Sequence, residues 1–208
     1  MSETDLGAIA ARTQAIYERN AERFDNERGR LLIERPWLDR FCALVPAGGS
    51  VLDLGCGAGD PIARYLIAKG LAVTGADFSE PMLAIARRRF PQARWLFADM
   101  RTLNLSETFD GIVGWHSFFH LRQHEQRDVL KRLSEHLRPG GAMMLTVGPS
   151  AGEVTGHVGD DVVYHSSLAP EEYTALLAAQ DIETVAFVAE DPACDGSTIL
   201  LARKKPQA

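Results

Sequence analysis

The stretch VLDLGCGAGDP, from Val51 to Pro61, places three glycines at alternate positions directly after a compact apolar run. The segment that follows, DPIARYLIAKG, repeats apolar residues at helical spacing, so Gly55, Gly57 and Gly59 lie between a strand and a helix. Glycine lacks a Cβ and tolerates positive φ, which lets a ligand lie against the backbone, and the first amides of the helix face that ligand. A tight turn without a ligand needs fewer glycines. The pattern therefore predicts a nucleotide-type ligand at this turn.

Strand-like and helix-like segments alternate along the rest of the chain. Apolar runs at LAVTGAD, ARWLFAD, FDGIVGW and AMMLTVG alternate with helical patterns at EPMLAIARRRF and EQRDVLKRLSEHL. Continuous apolar strands joined by helices predict a parallel sheet that is buried on both faces. The last two strands, IETVAFVAE and STILLARK, are joined by the short segment DPACDGS and are expected to pair antiparallel. We predict an α/β fold with a doubly wound, mostly parallel seven-stranded sheet, an antiparallel last strand and helices on both faces.

Composition narrows the class of protein further. A chain of 208 residues with 46% hydrophobic and 24% charged residues predicts one domain over residues 1–208 with a sizeable core. A net charge of −6 disfavours binding to nucleic acid and to anionic membranes. The spacing of Cys42, Cys56 and Cys194 matches no zinc or disulfide signature, and no signal-peptide or membrane-spanning run is visible. These features predict a cytoplasmic protein with reduced thiols.

The spacing of the glycines differs from the fingerprint of dinucleotide-binding proteins. The dinucleotide fingerprint G-x-G-x-x-G requires glycine where Asp60 stands, and Asp53 lies two residues before the first glycine. An acid followed by G-x-G-x-G resembles motif I of the class I S-adenosylmethionine-dependent methyltransferases. Further segments resemble that family in the expected order: YERNAERFD near the N-terminus, then VTGADFS, LFADM, FDGIVGWHSFFHL and HLRPGGAMMLTV. The resemblance extends along most of the chain.

The resemblance implies S-adenosylmethionine as the cofactor and S-adenosylhomocysteine as the product. In the family pattern the acid that ends the second strand, Asp77, holds the ribose hydroxyls, a role that suits an acceptor-only carboxylate. The acid after the third strand, Asp99, is expected near the adenine amino group, beside Met100. The full set expected at the cofactor is Tyr17, Asp53, Gly55, Cys56, Gly57, Gly59, Asp77, Phe78, Asp99, Met100 and Trp115. Asp77 and Asp99 also suit plain turn roles.

Candidate catalytic residues follow the fourth strand, whose end faces the reaction centre in this family. His116 and His120 are the candidates, because histidine exchanges protons near neutral pH. A base is needed only if the acceptor must lose a proton, and a packing role for His120 fits the sequence equally well. Together with His124 these histidines follow a spacing of four residues, but His116 belongs to the end of the strand, so we predict no metal site.

Two segments are available to cover the acceptor. Residues 1–30 resemble the helical cover of small-molecule members of the family, and residues 148–170 are predicted to be a long acceptor-site loop. Ser117, Phe119, Tyr164 and His165 are expected to contact the acceptor, although the loop residues also fit an ordinary surface position. Because both covering segments are small, a small-molecule acceptor is favoured over a protein or a nucleic acid.

The expected function is therefore methyl transfer from S-adenosylmethionine to a small molecule, by a monomer or a homodimer that binds neither nucleic acid nor membrane. Two alternatives stay open. One is a non-catalytic module that binds S-adenosylmethionine or S-adenosylhomocysteine. The other is an NAD(P)-dependent oxidoreductase, for which the glycine spacing is wrong and a Tyr-x-x-x-Lys pattern is missing.

Overall fold

The computed structural model describes the backbone of residues 3–29 and 31–207, with side chains from residue 5 onward. Seven strands form the main sheet: β1 (Ser50–Leu54), β2 (Ala72–Asp77), β3 (Arg94–Phe97), β4 (Phe109–Gly114), β5 (Leu137–Val147), β8 (Ile182–Asp191) and β9 (Ser197–Lys204). Their order is β3-β2-β1-β4-β5-β9-β8. The first five pair in parallel, and β9 is antiparallel to both of its neighbours. The predicted fold is confirmed, and the strand order reverses between β1 and β4, where such sheets bind ligands.

Five helices cover the two faces of this sheet. They are α4 (Arg35–Cys42), α5 (Ile62–Ala68), α6 (Glu80–Arg89), α7 (Gln123–His136) and α8 (Pro170–Ala178). Successive residues of a strand point to opposite faces, so Val51 joins the core cluster with α4, α5 and α6, whereas Leu52 joins the cluster with α7 and α8. No helix in the described part of the chain is long and apolar enough to cross a lipid bilayer.

Three short helices, α1 (Glu3–Ala10), α2 (Thr13–Arg19) and α3 (Ala21–Glu27), form the segment predicted as a cover. Residues 1, 2 and 30 of that segment lie outside the described residues. Ile16 of α2 packs against Val158 and Val163, and Ala21 of α3 packs against Ala58 and Met82. The N-terminal helices therefore rest on small apolar clusters of their own rather than on the main core.

Residues 148–170 do not form the irregular loop that the sequence predicted. They contain a two-stranded antiparallel hairpin of β6 (Gly152–Val158) and β7 (Asp161–Ser167). Gly159, with φ of +58°, supplies the left-handed residue of the two-residue turn. Val158 and Val163 bury one face of the hairpin against Ile16, which explains why this short ribbon is ordered.

A buried polar network joins α7, α8 and the end of β7. The hydroxyl of Tyr173 donates to Oε1 of Gln126 at 2.5 Å. Nε2 of Gln126 donates to the carbonyl oxygens of Leu121 at 3.1 Å and Ser166 at 2.9 Å. All of these groups are away from water, so the network fixes the chain at Leu121, directly after the candidate residue His120.

Removing one member of this network is expected to destabilise the fold. In Tyr173→Phe the buried Oε1 of Gln126 loses its donor, which lowers the free energy of unfolding by about 1–3 kcal/mol. The matched control is Thr174→Ala on the same helix, whose exposed hydroxyl donates to the Pro170 carbonyl and whose loss changes stability by less than about 0.5 kcal/mol. Urea denaturation of both variants measures this, and equal stabilities would show that the buried network contributes nothing.

Candidate functional site

A cavity of about 360 Å³ lies between the N-terminal helices and the carboxyl ends of β1, β2 and β4. This volume is in the usual range for small-molecule sites. The predicted site residues that line it are Tyr17, Asp53, Gly55, Cys56, Gly57, Asp77, Phe78, Asp99, Met100, Trp115, His116, Ser117 and His120. The predicted residues Gly59, Phe119, Tyr164 and His165 lie outside this lining. The fold therefore brings most of the candidate residues to one cavity, as the sequence motifs predict.

The three glycines of the turn have different surroundings. A Cβ on Gly55 would lie 2.3 Å from Cβ of Ser117, and one on Gly59 would lie 2.7 Å from Cη2 of Trp95. Those two positions are glycine because protein atoms occupy the space. A Cβ on Gly57 would meet no atom within 4 Å and the residue lines the cavity. Gly57 is therefore the position where a ligand can approach the backbone.

Two buried carboxylates stand beside this turn. Oδ2 of Asp77 accepts a hydrogen bond from the Gly57 amide at 2.8 Å, and Oδ1 accepts one from the Ser79 amide at 2.8 Å. Oδ2 of Asp53 is buried and has no hydrogen-bond partner. Burial raises the pKa of Asp77 to about 6, and burial together with the charge of Asp77 raises the pKa of Asp53 to about 7. The site thus holds two neighbouring buried carboxylates, and a cationic ligand would favour their ionised forms.

His120 links the N-terminal cover to the hairpin. Its Nδ1 lies 2.9 Å from the Tyr164 carbonyl oxygen, which only accepts, so Nδ1 carries the proton. Nε2 therefore accepts from the hydroxyl of Tyr17 at 2.9 Å. Burial lowers the pKa of His120 to about 4, which keeps the ring neutral near pH 7. Phe119 and His165 pack on the same ring, each with its centroid 4.9 Å away, so they support His120 from outside the cavity.

His116 is held in a different way. Its φ of 51° is in the left-handed region, a strained conformation for a non-glycine residue and one that is frequent at functional sites. Its amide donates to Oγ1 of Thr146 at 2.7 Å, and Nε2 lies 3.0 Å from Oγ of Ser197 on β9. No hydrogen bond joins Nδ1 to a described residue. Burial and the charge of Arg28 lower the pKa of His116 to about 4.

Other predicted residues have partners that limit their roles. Nε of Arg101 lies 2.9 Å from both oxygens of Asp99, so a ligand that binds Asp99 shares this carboxylate with the arginine. Oγ of Ser117 donates to the Leu54 carbonyl at 2.6 Å and thereby supports the glycine turn. The pKa of the Cys56 thiol lies well above its ordinary value, because burial disfavours the thiolate, and this excludes an activated nucleophile.

The histidines that follow a four-residue spacing do not share a helix face. His116 lies in a bend two residues after the end of β4 and not in the strand as predicted, His120 lies in the 3-10 turn Phe118–His120, and His124 lies in α7. Within the described ranges, no group of three or more histidine, cysteine, aspartate or glutamate side chains is placed to hold a metal ion.

Residues 51–141 match a protein family described as a methyltransferase domain. The resemblance found in the sequence motifs is thereby confirmed for the segment that carries the glycine turn, Asp77 and Asp99.

Curated relatives of this chain differ in what they act on. Malonyl-[acyl-carrier protein] O-methyltransferase of Salmonella typhimurium is 38% identical over 152 residues, which are 70% of this chain and 55% of the relative. Trans-aconitate 2-methyltransferase of Delftia acidovorans is 33% identical over 65% of this chain and 50% of the relative. An amino-sugar N,N-dimethyltransferase of Streptomyces fradiae is 35% identical over 48% of this chain and 40% of the relative. The chain spans about half the length of these relatives.

Solved structures show the same fold over nearly the whole chain. The S-adenosylmethionine-bound amino pentose methyltransferase CalS10 of Micromonospora echinaspora has a TM-score of 0.69 and 23% identity, covering 90% of this chain and 96% of that one. A toxoflavin-pathway N1-methyltransferase of Burkholderia thailandensis has a TM-score of 0.72 and 21% identity, covering 99% and 91%. The sheet, the N-terminal helices and the hairpin of the methyltransferase fold are therefore all within the matched region.

Two residues complete the cavity in ways that sequence reasoning missed. Arg28 follows α3 and lines the cavity, and its guanidinium forms an ion pair with Glu34 at 3.7 Å. The indole of Trp115, expected at the cofactor, is only 4% exposed and its Nε1 has no hydrogen-bond partner. A lone arginine outside any motif carries no signal in the sequence, and a buried unpaired N–H is visible only in the fold.

The link between His120 and the cover gives a test by hydrogen exchange. His120→Ala removes the acceptor of the Tyr17 hydroxyl, so the amides of α2 are expected to exchange several-fold faster while those of β1 keep their rates. The matched control is His124→Ala, because His124 is exposed on α7 and makes no such contact. Unchanged exchange in α2 after His120→Ala would show that this histidine does not hold the cover.

Proposed function

We propose that this protein transfers a methyl group from S-adenosylmethionine to a small-molecule acceptor in the cavity beneath the N-terminal helices. The observation that carries the proposal is the unpartnered buried Oδ2 of Asp53 beside the open backbone of Gly57. The curated relatives support it, since their names describe O-, N- and other methyl transfer to small acceptors or a carrier-bound malonyl group. The proposal agrees with the function expected from the sequence.

The residues present fit this cofactor. Its ammonium and sulfonium charges suit the uncompensated carboxylates of Asp53 and Asp77, and its ribose hydroxyls suit the acceptor oxygens of Asp77. Phe78, Asp99 and Met100 would hold the adenine. When bound, S-adenosylmethionine supplies a methyl carbon on a positively charged sulfur, so that displacement depends mainly on positioning of the acceptor.

The two histidines have different roles in this proposal. Both ring nitrogens of His120 are engaged, so His120 fixes the hydroxyl of Tyr17 over the cavity rather than meeting the acceptor. Burial and the charge of Asp77 raise the pKa of Tyr17, which keeps that hydroxyl protonated as a donor. Nδ1 of His116 is left for the acceptor: in one tautomer it takes a proton from the reacting atom, and in the other it donates a hydrogen bond to an acceptor that carries no proton.

The arrangement of the whole protein follows from the same proposal. Residues 1–208 act as one domain, in which residues 1–30 cover the cofactor and the hairpin within 148–170 supports the acceptor side through Tyr164 and His165. Phe119 and His165 serve the acceptor indirectly, by packing against His120. We also propose a cytoplasmic monomer or homodimer that binds neither nucleic acid nor membrane, in keeping with the net charge of −6.

Turnover separates this proposal from a non-catalytic binding module with the same cofactor site. Protein incubated with methyl-tritiated S-adenosylmethionine is expected to label at least one acceptor from a panel of malonyl thioester, trans-aconitate and dTDP-amino sugar. Wild-type protein is compared with Gly57→Ala, in which a Cβ enters the cavity. Binding of the cofactor without transfer to any acceptor would favour the binding module.

A further inference from the structure

Part of the cavity wall offers hydrogen-bond donors that no described residue uses. Arg28, Trp115 and His116, which we call the donor wall, all line the cavity. Nε1 of Trp115 has no partner, although the indole is 96% buried. The guanidinium of Arg28 has five donors, and its ion pair with Glu34, at 3.7 Å, is longer than a hydrogen bond. Two segments far apart in sequence thus contribute these donors to the lining of one cavity.

An unpaired buried donor such as Nε1 of Trp115 is costly and usually indicates a missing partner, whereas the side chain of Arg28 is 22% exposed. The indole N–H and the guanidinium only donate, so the partner must accept. A carboxylate accepts from both at once, and it matches the planar fork of an arginine better than a neutral oxygen does. An ammonium group offers only donors and would be repelled by Arg28.

The electrostatics of the site agree with this assignment. The charge of Arg28 contributes to the low pKa of His116 and opposes the rise in the pKa of Asp53, so the guanidinium acts on the interior of the cavity. The hydroxyl of Ser197 can donate to Nε2 of His116, which leaves the proton on Nδ1 as a third donor. The donor wall thus brings a positive charge and several N–H groups into the cavity that also contains Asp53.

We propose that the methyl acceptor is a carboxylate, held by Arg28 and Trp115, and that its oxygen is the atom methylated. This inference rests on the proposed function and names its substrate class. A lone pair of the carboxylate oxygen forms the bond to the methyl carbon, while the carbon–sulfur bond breaks and its electron pair stays on sulfur. The products are a methyl ester and S-adenosylhomocysteine, and no proton has to move. A neutral His116 is sufficient for this reaction because it only orients the acceptor.

The α-carboxylate of the cofactor is a second source of the same chemistry, and the test separates the two. Calorimetry compares S-adenosylhomocysteine with 5′-methylthioadenosine, which lacks the amino-acid part, on wild type, Arg28→Gln and Arg28→Lys. If the donor wall serves the acceptor, Arg28→Gln changes the affinity for both ligands less than threefold. A tenfold loss for S-adenosylhomocysteine alone would assign Arg28 to the cofactor and overturn the proposal.

In a second experiment, benzoate, malonate and trans-aconitate are titrated into the protein loaded with S-adenosylhomocysteine. Benzylamine is the matched cationic probe, and benzyl alcohol is the matched uncharged probe. At least one carboxylate is expected to bind, and its affinity falls more than tenfold in Arg28→Gln and several-fold in Trp115→Phe. Arg28→Lys keeps the charge and recovers part of the affinity. Arg23→Gln is the matched control, since Arg23 pairs with Glu27 and Asp160 outside the cavity.

Two outcomes of this experiment overturn the proposal. One is that none of the three carboxylates binds to the loaded protein, and the other is that benzylamine binds more tightly than benzoate. Failure of wild-type protein to bind S-adenosylhomocysteine is a different result, because it removes the proposed function itself and not only the substrate class.

Discussion

Asp53→Asn is expected to make the protein without its cofactor more stable at pH 8. The pKa of Asp53 rises from 3.8 to about 7 in the folded state, so the folded protein binds more protons than the unfolded chain between these values. The stability of the folded protein therefore falls as the pH rises through this range. Above pH 7 the ionised carboxylate in the buried site costs up to about 4 kcal/mol. Asparagine removes that cost, and we expect a gain of about 2–4 kcal/mol at pH 8.

Urea denaturation at pH 5 and pH 8 measures this gain. It should be larger at pH 8 than at pH 5 by about 2 kcal/mol, since part of the cost is absent while Asp53 is protonated in the folded state. The matched control is Asp160→Asn, whose side chain is 97% exposed and pairs with Arg23 on the surface. A loss of stability at pH 8 in Asp53→Asn would mean that Asp53 has a structural partner and is not held ready for a ligand.

The same substitution is expected to weaken binding of S-adenosylmethionine at least tenfold, because a buried charged hydrogen bond to the ammonium is lost. In wild-type protein the affinity should rise between pH 5 and pH 8 as Asp53 ionises, and this rise should be reduced in Asp53→Asn. Calorimetry at three pH values tests both statements. Equal pH profiles for the two proteins would assign the dependence to another group, of which Asp77 is the nearest candidate.

Gly55→Ala is expected to reduce mainly the stability of the protein, and Gly57→Ala is expected to reduce mainly its affinity for the ligand. At Gly55, φ is +70° and the new Cβ would overlap Ser117, which has no room to move because its hydroxyl is bound to Leu54. We expect a loss of about 3 kcal/mol or more in the free energy of unfolding. At Gly57, φ is +52° but the space is open, so the cost is about 1–2 kcal/mol of backbone strain.

Gly57→Ala, which has the smaller expected effect on stability, is expected to have the clear effect on ligand binding. The Cβ of Gly57→Ala would stand in the cavity, so affinity for S-adenosylhomocysteine should fall more than tenfold in a protein that is still folded. Thermal denaturation with and without ligand measures both effects in one experiment. A Gly57→Ala protein that binds as tightly as wild type would show that the ligand does not approach the turn at this residue.

The elements of the main sheet were predictable because their signals are local. The apolar runs and the helical periods predict which segments are the strands and which are the helices of a mostly parallel sheet. The motif acids Asp53 and Asp77 also reach the cavity as predicted. Each of these features depends on a few consecutive residues, which sequence reasoning handles well.

The hairpin and the acceptor side were harder for a physical reason. The Gly159–Asp160 pair is a two-residue turn signal, but the ribbon is held by residues far away in sequence, such as Ile16 and His120. The roles of His116 and His120 depend on partners from α2, β7 and β9. Arg28 and Trp115 line one cavity because the cover lies over the carboxyl end of β4. Contacts of this kind follow from the fold and not from any local pattern.

The most direct measurement is a calorimetric titration of wild-type protein with S-adenosylmethionine, S-adenosylhomocysteine, NAD and NADP. The negative glycine turn around Asp53 and Gly57 predicts micromolar binding of the first two and none of the nicotinamide nucleotides. Binding of NAD or NADP, or of none of the four, would contradict the assignment of this cavity to a methyl-donor site.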